Sequence, residues 1–229
     1  MSLFIGGSEP SAIHWGGEAY EVYLGPHLVW RSGGEPLFER HLFYAPDIAG
    51  STLLVPEWAG YMFAGGIAAG GGGSFGAGIR DGRGGGAGRS ASTTIELPGN
   101  AISVTVQLGA PGAGGASYGS GGPDGKSAQQ STVTLSLSNS TAQVLQLYGG
   151  VGRGYNSSGS STGDAAAPLA LPDGFVIPGG SGGTMTNPGQ PYGGGGGGGR
   201  RTGDNHGRPG GPAALAVCFW NQAWDDEHR

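Results

Sequence analysis

Apolar and polar residues alternate along several short runs of this 229-residue chain. Alternation with a period of two, together with many β-branched residues, indicates strands with one buried face. Four such runs lie in the middle of the chain: Ala91–Leu97, Ile102–Leu108, Ser131–Leu137 and Gln143–Tyr148. Between the first two lies Pro98-Gly99-Asn100, whose turn chemistry predicts that these two runs form a hairpin.

Further strands are expected on both sides of this region. The earlier runs are Leu37–Tyr44, Thr52–Val55 and Tyr61–Ala64, and the last of these leads into a glycine-rich stretch. Near the end, Ala213–Trp220 is apolar on both faces, which predicts a central, buried strand. No window combines helical apolar periodicity with capping residues. The pattern therefore predicts an all-β fold, with a β-sandwich-like domain over residues 37–220.

The first 31 residues are predicted to form a separate small β-hairpin module. Ala19–Leu24 and Leu28–Arg31 flank Gly25-Pro26-His27, which is a hairpin signal. A hairpin of this size cannot bury its own apolar face, so it needs a partner surface, either the rest of the chain or another protein. The predicted assembly interface consists of six residues: Trp15, Tyr20, Val22, Tyr23, Leu28 and Trp30. Residues 32–36 are predicted to be a linker, and 221–229 an acidic C-terminal tail.

Glycine supplies 54 of the 229 residues, and most of these glycines lie in segments 60–90, 109–125, 149–163 and 179–211. Flexible linkers are one interpretation, although linkers rarely contain large side chains such as those of Phe75 and Tyr192. Collagen is excluded because glycine does not recur strictly at every third residue. The remaining interpretation is close-packed backbone, in polyglycine-II helices or irregular loops. Dense backbone hydrogen bonding or contacts with a partner must then offset the entropy lost by ordering glycine.

Composition narrows the function classes. The net charge is −5 with a single Lys, which argues against nucleic-acid binding. No apolar stretch is long enough to span a membrane, and no secretory signal is expected. A GxGxxG match at Gly71–Gly76 is not followed by a helical pattern, and the five His lack metal-ligand spacing. We therefore expect no enzyme activity, cofactor or metal.

Several motifs together resemble the glycine-rich minor tail proteins of actinobacteriophages, such as mycobacteriophages. Val22–Trp30 has the form VYxGxxLVW, and Gly70–Gly73 and the closing Gly210-Gly211-Pro212 are similar to that family. The chain departs from the family at Glu57-Trp58-Ala59-Gly60. The resemblance implies a structural virion protein of the tail tip, made in the host cytoplasm. Its hairpin would dock on other tail proteins, and its outer loops would contact a host-envelope glycan or protein.

Two further expectations concern contacts. Multi-copy assembly, with a trimer as the expected oligomer, suits a surface poor in charge. Tyrosines amid glycine and serine are typical of adaptable binding surfaces, so Tyr118, Tyr155 and Tyr192 are predicted host contacts. The alternative for these tyrosines is that they fill gaps between glycine-rich strands. The alternative for the whole chain is a non-viral glycine-rich structural or surface-binding protein.

Overall fold

The chain forms strands and extended segments throughout its described part. A computed structural model describes residues 14–15, 18–19, 22–24, 27–30, 38–44, 50–77, 80–116, 124–154, 159–202 and 205–221. These residues contain fourteen strands and no helix. The predicted all-β fold is therefore confirmed.

Four short strands lie in the N-terminal region. β1 (His14–Trp15) pairs with β2 (Glu18–Ala19), and β3 (Val22–Leu24) pairs antiparallel with β4 (His27–Trp30). Because Leu24 lies opposite His27, β3 and β4 form the predicted hairpin. Residues 32–36 and 222–229 lie outside the described residues, and the domain boundaries stay predictions.

Two four-stranded antiparallel sheets form the centre of the fold. Sheet I has the order β11-β10-β9-β6, and sheet II has the order β5-β14-β7-β8. The strands of sheet I are β6 (Ser51–Leu54), β9 (Ala101–Gln107), β10 (Ser131–Leu137) and β11 (Thr141–Leu147). Those of sheet II are β5 (Phe38–Tyr44), β7 (Tyr61–Ile67), β8 (Ser90–Glu96) and β14 (Ala214–Trp220).

The alternating pattern places one face of each sheet in a shared core. On sheet I, Val104 and Val133 are fully buried, whereas Thr105 and Thr134 point to the other face. These valines meet Met62 and other apolar residues of sheet II in one cluster. Burial of each such side chain contributes about 1.5–3 kcal/mol, so this core stabilises the sandwich.

β14 is buried on both faces, as its uninterrupted apolar sequence predicts. It lies between β5 and β7, and all seven of its residues are buried. Phe219 and its same-face neighbours enter the sandwich core, while the opposite face packs against a second cluster with Leu171 and Ile177. That cluster is closed by β12 (Leu169–Ala170) and β13 (Val176–Ile177), two short strands that the sequence pattern does not predict. β7 continues to Ile67, three residues beyond its predicted end.

The hairpin predicted at Pro98-Gly99-Asn100 is wrong. A turn does form, because the Ala101 N–H donates to the Pro98 carbonyl (2.9 Å). However, β8 pairs with β7, and β9 pairs with β6 and β10, so the chain crosses from sheet II to sheet I at this turn. The apolar faces of both strands, with Ile95 on one and Val104 on the other, enter the same core from opposite sides. Turn chemistry specifies a reversal of the chain, whereas side-chain burial decides whether the strands share a sheet.

Nine extended glycine-rich segments form a bundle at one end of the sandwich, and six of them continue strands of its sheets. β7, β9 and β11 lead into g1, g3 and g5, and g2, g4 and g9 lead into β8, β10 and β14. The segments are g1 (68–76), g2 (82–89), g3 (109–116), g4 (124–130), g5 (148–154), g6 (159–167), g7 (179–184), g8 (193–199) and g9 (205–212). At a rise of about 3.1 Å per residue, g1 extends about 25 Å from the sheet.

Backbone hydrogen bonds in the bundle repeat every third residue. From g1, N–H groups three residues apart donate to g9: Gly70 to Gly211, Gly73 to Arg208 and Gly76 to Asn205. The next set donates to g2: Ala68 to Arg89, Gly71 to Gly86 and Ser74 to Arg83. Three residues per turn, with bonds directed outward, is the geometry of polyproline-II-type helices. For the described parts of the glycine segments, the close-packed interpretation is therefore confirmed, and the flexible-linker interpretation is wrong.

The two longest described glycine runs lie at the centre of the bundle. g1, which contains Gly70–Gly73, bonds to six segments: its N–H groups to g2, g4 and g9, and its carbonyls to g3, g5 and g8. g8, which is Gly193–Gly199, bonds to g1, g2, g6, g7 and g9. On the outside, g3 keeps buried glycine only at every third residue, Gly109, Gly112 and Gly115. Position in the bundle thus explains which segments need uninterrupted glycine.

Candidate functional site

The end of the bundle remote from the sandwich carries described chain connections between glycine segments. We call the described residues 80–82 and 199–202 at this end the tip. The Arg201 N–H donates to the Asp81 carboxylate (2.7 Å), and the Gly82 N–H donates to the Gly199 carbonyl (2.7 Å). Reciprocal bonds between Ala77 and Arg80 (3.1 and 3.2 Å) hold the adjoining chain. Two parts of the sequence that are far apart are thereby joined in one surface.

Three exposed arginines dominate the tip. Arg80, Arg200 and Arg201 are all exposed, and Asp81 supplies the one described carboxylate among them. Within the described part of the chain, no residue accepts a hydrogen bond or ion pair from these three guanidinium groups. Deeper in the bundle the situation differs, because Arg153 binds the Asp164 carboxylate (3.1 Å) and Arg208 donates to the Met185 carbonyl (3.1 Å). With respect to the described residues, these three guanidinium groups therefore keep their hydrogen-bonding capacity for an external anion.

Charge is divided unevenly between the bundle and the rest of the chain. Residues 68–89, 109–130, 148–167 and 179–212 contain eight basic and four acidic residues. The remainder contains three basic and twelve acidic residues. A net charge of −5 for the whole chain conceals a positive bundle and a strongly negative remainder. The sequence signal for this division was the placement of Arg80-Asp81-Gly82-Arg83 and Arg200-Arg201 within glycine runs, which charge counting over the whole chain misses.

Tyr192 lies at the opposite end of the bundle from the tip. Its ring packs edge-on against Tyr44 (5.8 Å between ring centres), next to the second core. The backbone of Tyr192 is in the left-handed region (φ 70°), and its carbonyl accepts the Gly180 N–H (2.9 Å). This placement suits the gap-filling alternative, and host contact by Tyr192 stays a prediction. Tyr118 and Tyr155 lie outside the described residues.

The residues of the predicted assembly interface fall in the N-terminal strands. Trp15 lies in β1, Val22 and Tyr23 lie in β3, and Leu28 and Trp30 lie in β4. Tyr20 lies outside the described residues. β3 and β4 thus bring four of the six residues into one hairpin, and their role in assembly stays a prediction.

A second surface is the outer face of sheet I, which carries hydroxyl and amide groups. Strand register places Thr52, Thr105, Thr134 and Gln143 in one row across the sheet. Within this row, the Thr52 and Thr105 hydroxyls lie 3.3 Å apart. A parallel row contains Ser103, Ser136 and Thr141. This uncharged face is suited to contacts made by hydrogen bonds rather than by charge.

One cysteine and two serines are buried within the described residues. Cys218 is buried in β14, and burial, reinforced by the negative charge of Asp173, raises the pKa of its thiol to about 12. The thiol therefore stays protonated at neutral pH and is a poor nucleophile. The buried Ser74 hydroxyl accepts the Arg83 N–H (2.8 Å), and that of Ser131 accepts the Gly109 N–H (2.9 Å). Among the residues that the structure describes, no three metal-ligating side chains lie together.

The comparisons add no family assignment. No protein-family model matches the chain, and no curated protein is significantly similar to it. In the portion that the structure describes, no helix has the length and apolar character needed to cross a membrane.

Proposed function

We propose that this chain is a structural minor tail protein of a phage, located at the tail tip, with the glycine bundle directed away from the tail. The observation that carries the proposal is the one-ended architecture. A hydrogen-bonded bundle continues six strands of the sandwich and places arginine-bearing chain connections at its remote end. The motif resemblance to glycine-rich tail proteins supports the same role. In this proposal the N-terminal hairpin docks on other tail proteins.

The bundle is built for presentation at a distance. Each backbone hydrogen bond to a neighbouring segment restricts the movement of the two segments that it joins. The bonds of g1 point in all directions around its axis. Such a lattice resists bending because every segment is tied to several others. Host-surface contact at its remote end requires rigidity and reach, and no chemical step.

A complete bundle forms within one chain. All six segments around g1 come from the same chain, so a second copy is not needed to fill the positions around it. The expected trimer is therefore proposed as an association of three complete chains, without exchange of bundle segments between them. Light scattering after size-exclusion chromatography of the full chain measures it, and a monomer at micromolar concentration would remove this part of the proposal.

Localisation in virions tests the proposal. Antibodies against the full chain, detected with gold in electron micrographs of purified particles, should label the tail tip. A variant that lacks residues 1–31 should fold but should not be incorporated into particles. As the control, Arg89→Gln in the full-length chain should leave incorporation unchanged. Absence of the protein from purified particles would overturn the proposal.

The second candidate is a non-viral glycine-rich protein that binds a surface. The uncharged hydroxyl and amide rows on sheet I favour it, because they offer an open face of repeated hydrogen-bonding groups. Replacing Thr105 and Thr134 by Val should then abolish the adhesion of cells that express the protein to the surface that it binds. Under the tail-tip proposal, the same change leaves adsorption unaffected.

A further inference from the structure

We propose that the tip binds an anionic polysaccharide of the host surface through Arg80, Arg200 and Arg201. This inference rests on the proposed attachment function and adds the ligand class. Guanidinium groups pair with carboxylate and phosphate oxygens in bidentate geometry, which suits both kinds of anionic glycan.

The three arginines are brought together by the fold. Arg201 and Asp81 are 120 residues apart in sequence, yet a backbone-to-carboxylate bond joins them. The bond between Gly82 and Gly199 fixes the two segments beneath them. Since the backbone at the tip is already held in place, a bound anion has to order only the arginine side chains.

Among the described residues of the tip, positive charge exceeds negative charge. Arg80, Arg200 and Arg201 provide three positive charges against the single described carboxylate of Asp81, whose oxygen accepts the Arg201 N–H. None of the three guanidinium groups bonds to a described residue. Positive charge that is exposed and unpaired attracts anions over roughly a Debye length, about 8 Å at physiological salt.

The rest of the chain restricts the shape of the ligand. Among the described residues of the sandwich and the strands that cover it, four carboxylates face one basic side chain, so a long polyanion lying along the sandwich would be repelled. They are Glu39, Glu57, Glu96 and Asp173, against Arg40. Duplex-binding proteins commonly neutralise about 6–10 phosphates, more than three arginines can contact. The tip is thus matched to a protruding branch or chain end of an acidic glycan rather than to nucleic acid.

A charge-matched pair of variants tests the inference with purified full-length protein. The tip variant is R80Q/R200Q/R201Q. The control, R31Q/R89Q/R229Q, loses the same net charge elsewhere; Arg89 is exposed at the sandwich end of g2. Biolayer interferometry measures binding to immobilised polygalacturonate, polyglycerol phosphate, neutral dextran and a 20-base-pair DNA duplex, at 50 and 200 mM NaCl.

The tip variant should bind polygalacturonate, polyglycerol phosphate or both at least about tenfold more weakly than the wild type, and the control should stay within about twofold. Whichever polymer shows the loss identifies carboxylate or phosphate as the recognised group. Equal losses in both variants, tighter binding to DNA than to the glycans, or no binding to either anionic polymer would overturn the inference. These results do not depend on where the protein lies in a virion. If antibodies label the tail tip of the particles but the purified protein binds no anionic glycan, the proposed ligand is rejected and the proposed tail function is kept.

Discussion

The sandwich and the glycine bundle are two interiors built by one chain on opposite principles. In the sandwich, side chains such as Phe219 and Val104 fill the space between sheets, and backbone bonds run within each sheet. In the bundle, the space between segments is filled by backbone itself, and bonds from g1 run to neighbours on every side. The first interior therefore requires large apolar residues, whereas the second requires their absence.

This contrast predicts opposite responses to a change in side-chain volume. Removing atoms harms a packed apolar core because it leaves a cavity. Adding atoms harms the bundle because a new methyl group meets main-chain atoms that cannot rotate away. Ordering a glycine costs roughly 0.5–1 kcal/mol more than ordering alanine. A backbone hydrogen bond contributes about 0.5–1.5 kcal/mol net, so one bond per glycine is enough to offset that cost.

The largest effect is expected from truncation in the sandwich. Phe219 is fully buried between the sheets, so Phe219→Ala should lower the free energy of unfolding by about 3–5 kcal/mol. Ile102→Ala is the control, because Ile102 is half exposed, and it should cost about 0.5 kcal/mol. Urea denaturation followed by tryptophan fluorescence measures both. Similar losses in the two variants would show that burial does not govern stability here.

The second prediction tests the bundle by adding a single methyl group to a glycine. At Gly196 an added Cβ would overlap the Arg208 carbonyl oxygen, so Gly196→Ala should lower stability by about 3 kcal/mol. At Gly99 an added Cβ would meet nothing within 4 Å, so Gly99→Ala should be neutral or stabilise by up to about 1 kcal/mol. Thermal unfolding gives the sign of each change. Tolerance of alanine at Gly196 would contradict close packing.

Tyr192 tests the junction between the two interiors. Tyr192→Ala removes the ring contact with Tyr44 and should cost about 1–2 kcal/mol, whereas Tyr192→Phe keeps the ring and should lie near the wild type. Phage adsorption should be unchanged in both variants. Loss of adsorption in Tyr192→Ala with unaltered melting would instead identify a host contact.

The smallest expected effect on stability is the pH dependence that comes from the Cys218 thiol. Because burial raises its pKa from 9.0 to about 12, the folded state holds the thiol proton more tightly than the unfolded state. This contribution to stability is fully present below pH 9 and is lost as pH rises from about 9 to 12. Cys218→Ala should show a shallower decline over that range. Native protein should also react slowly with a thiol reagent at pH 8 and completely in denaturant; fast native reaction would contradict the burial.

Most strands were predictable because alternation reports local burial. Ser131–Leu137 was predicted with the bounds of β10, and the uninterrupted apolar run near the C-terminus became the central strand β14. The two-residue strands β12 and β13 were missed because so short a run carries no detectable period. The tip could not be predicted as a site, because nothing local to Arg80 indicates that Arg200 and Arg201 lie beside it.

By itself, the sequence determined that the chain is all-β, and it left flexible linkers and close-packed backbone as alternatives for its glycine segments. The period of the apolar residues is a local property, and it is sufficient for the fold class, whereas the packing of the glycine segments needed their hydrogen-bond partners. Only the tertiary structure decided that β8 and β9 belong to different sheets and that g1 and g8 are central. It also decided which arginines share the tip. The physical reason is that each turn of an extended glycine helix directs its bonds to three or more segments distant in sequence, and no local pattern specifies those partners.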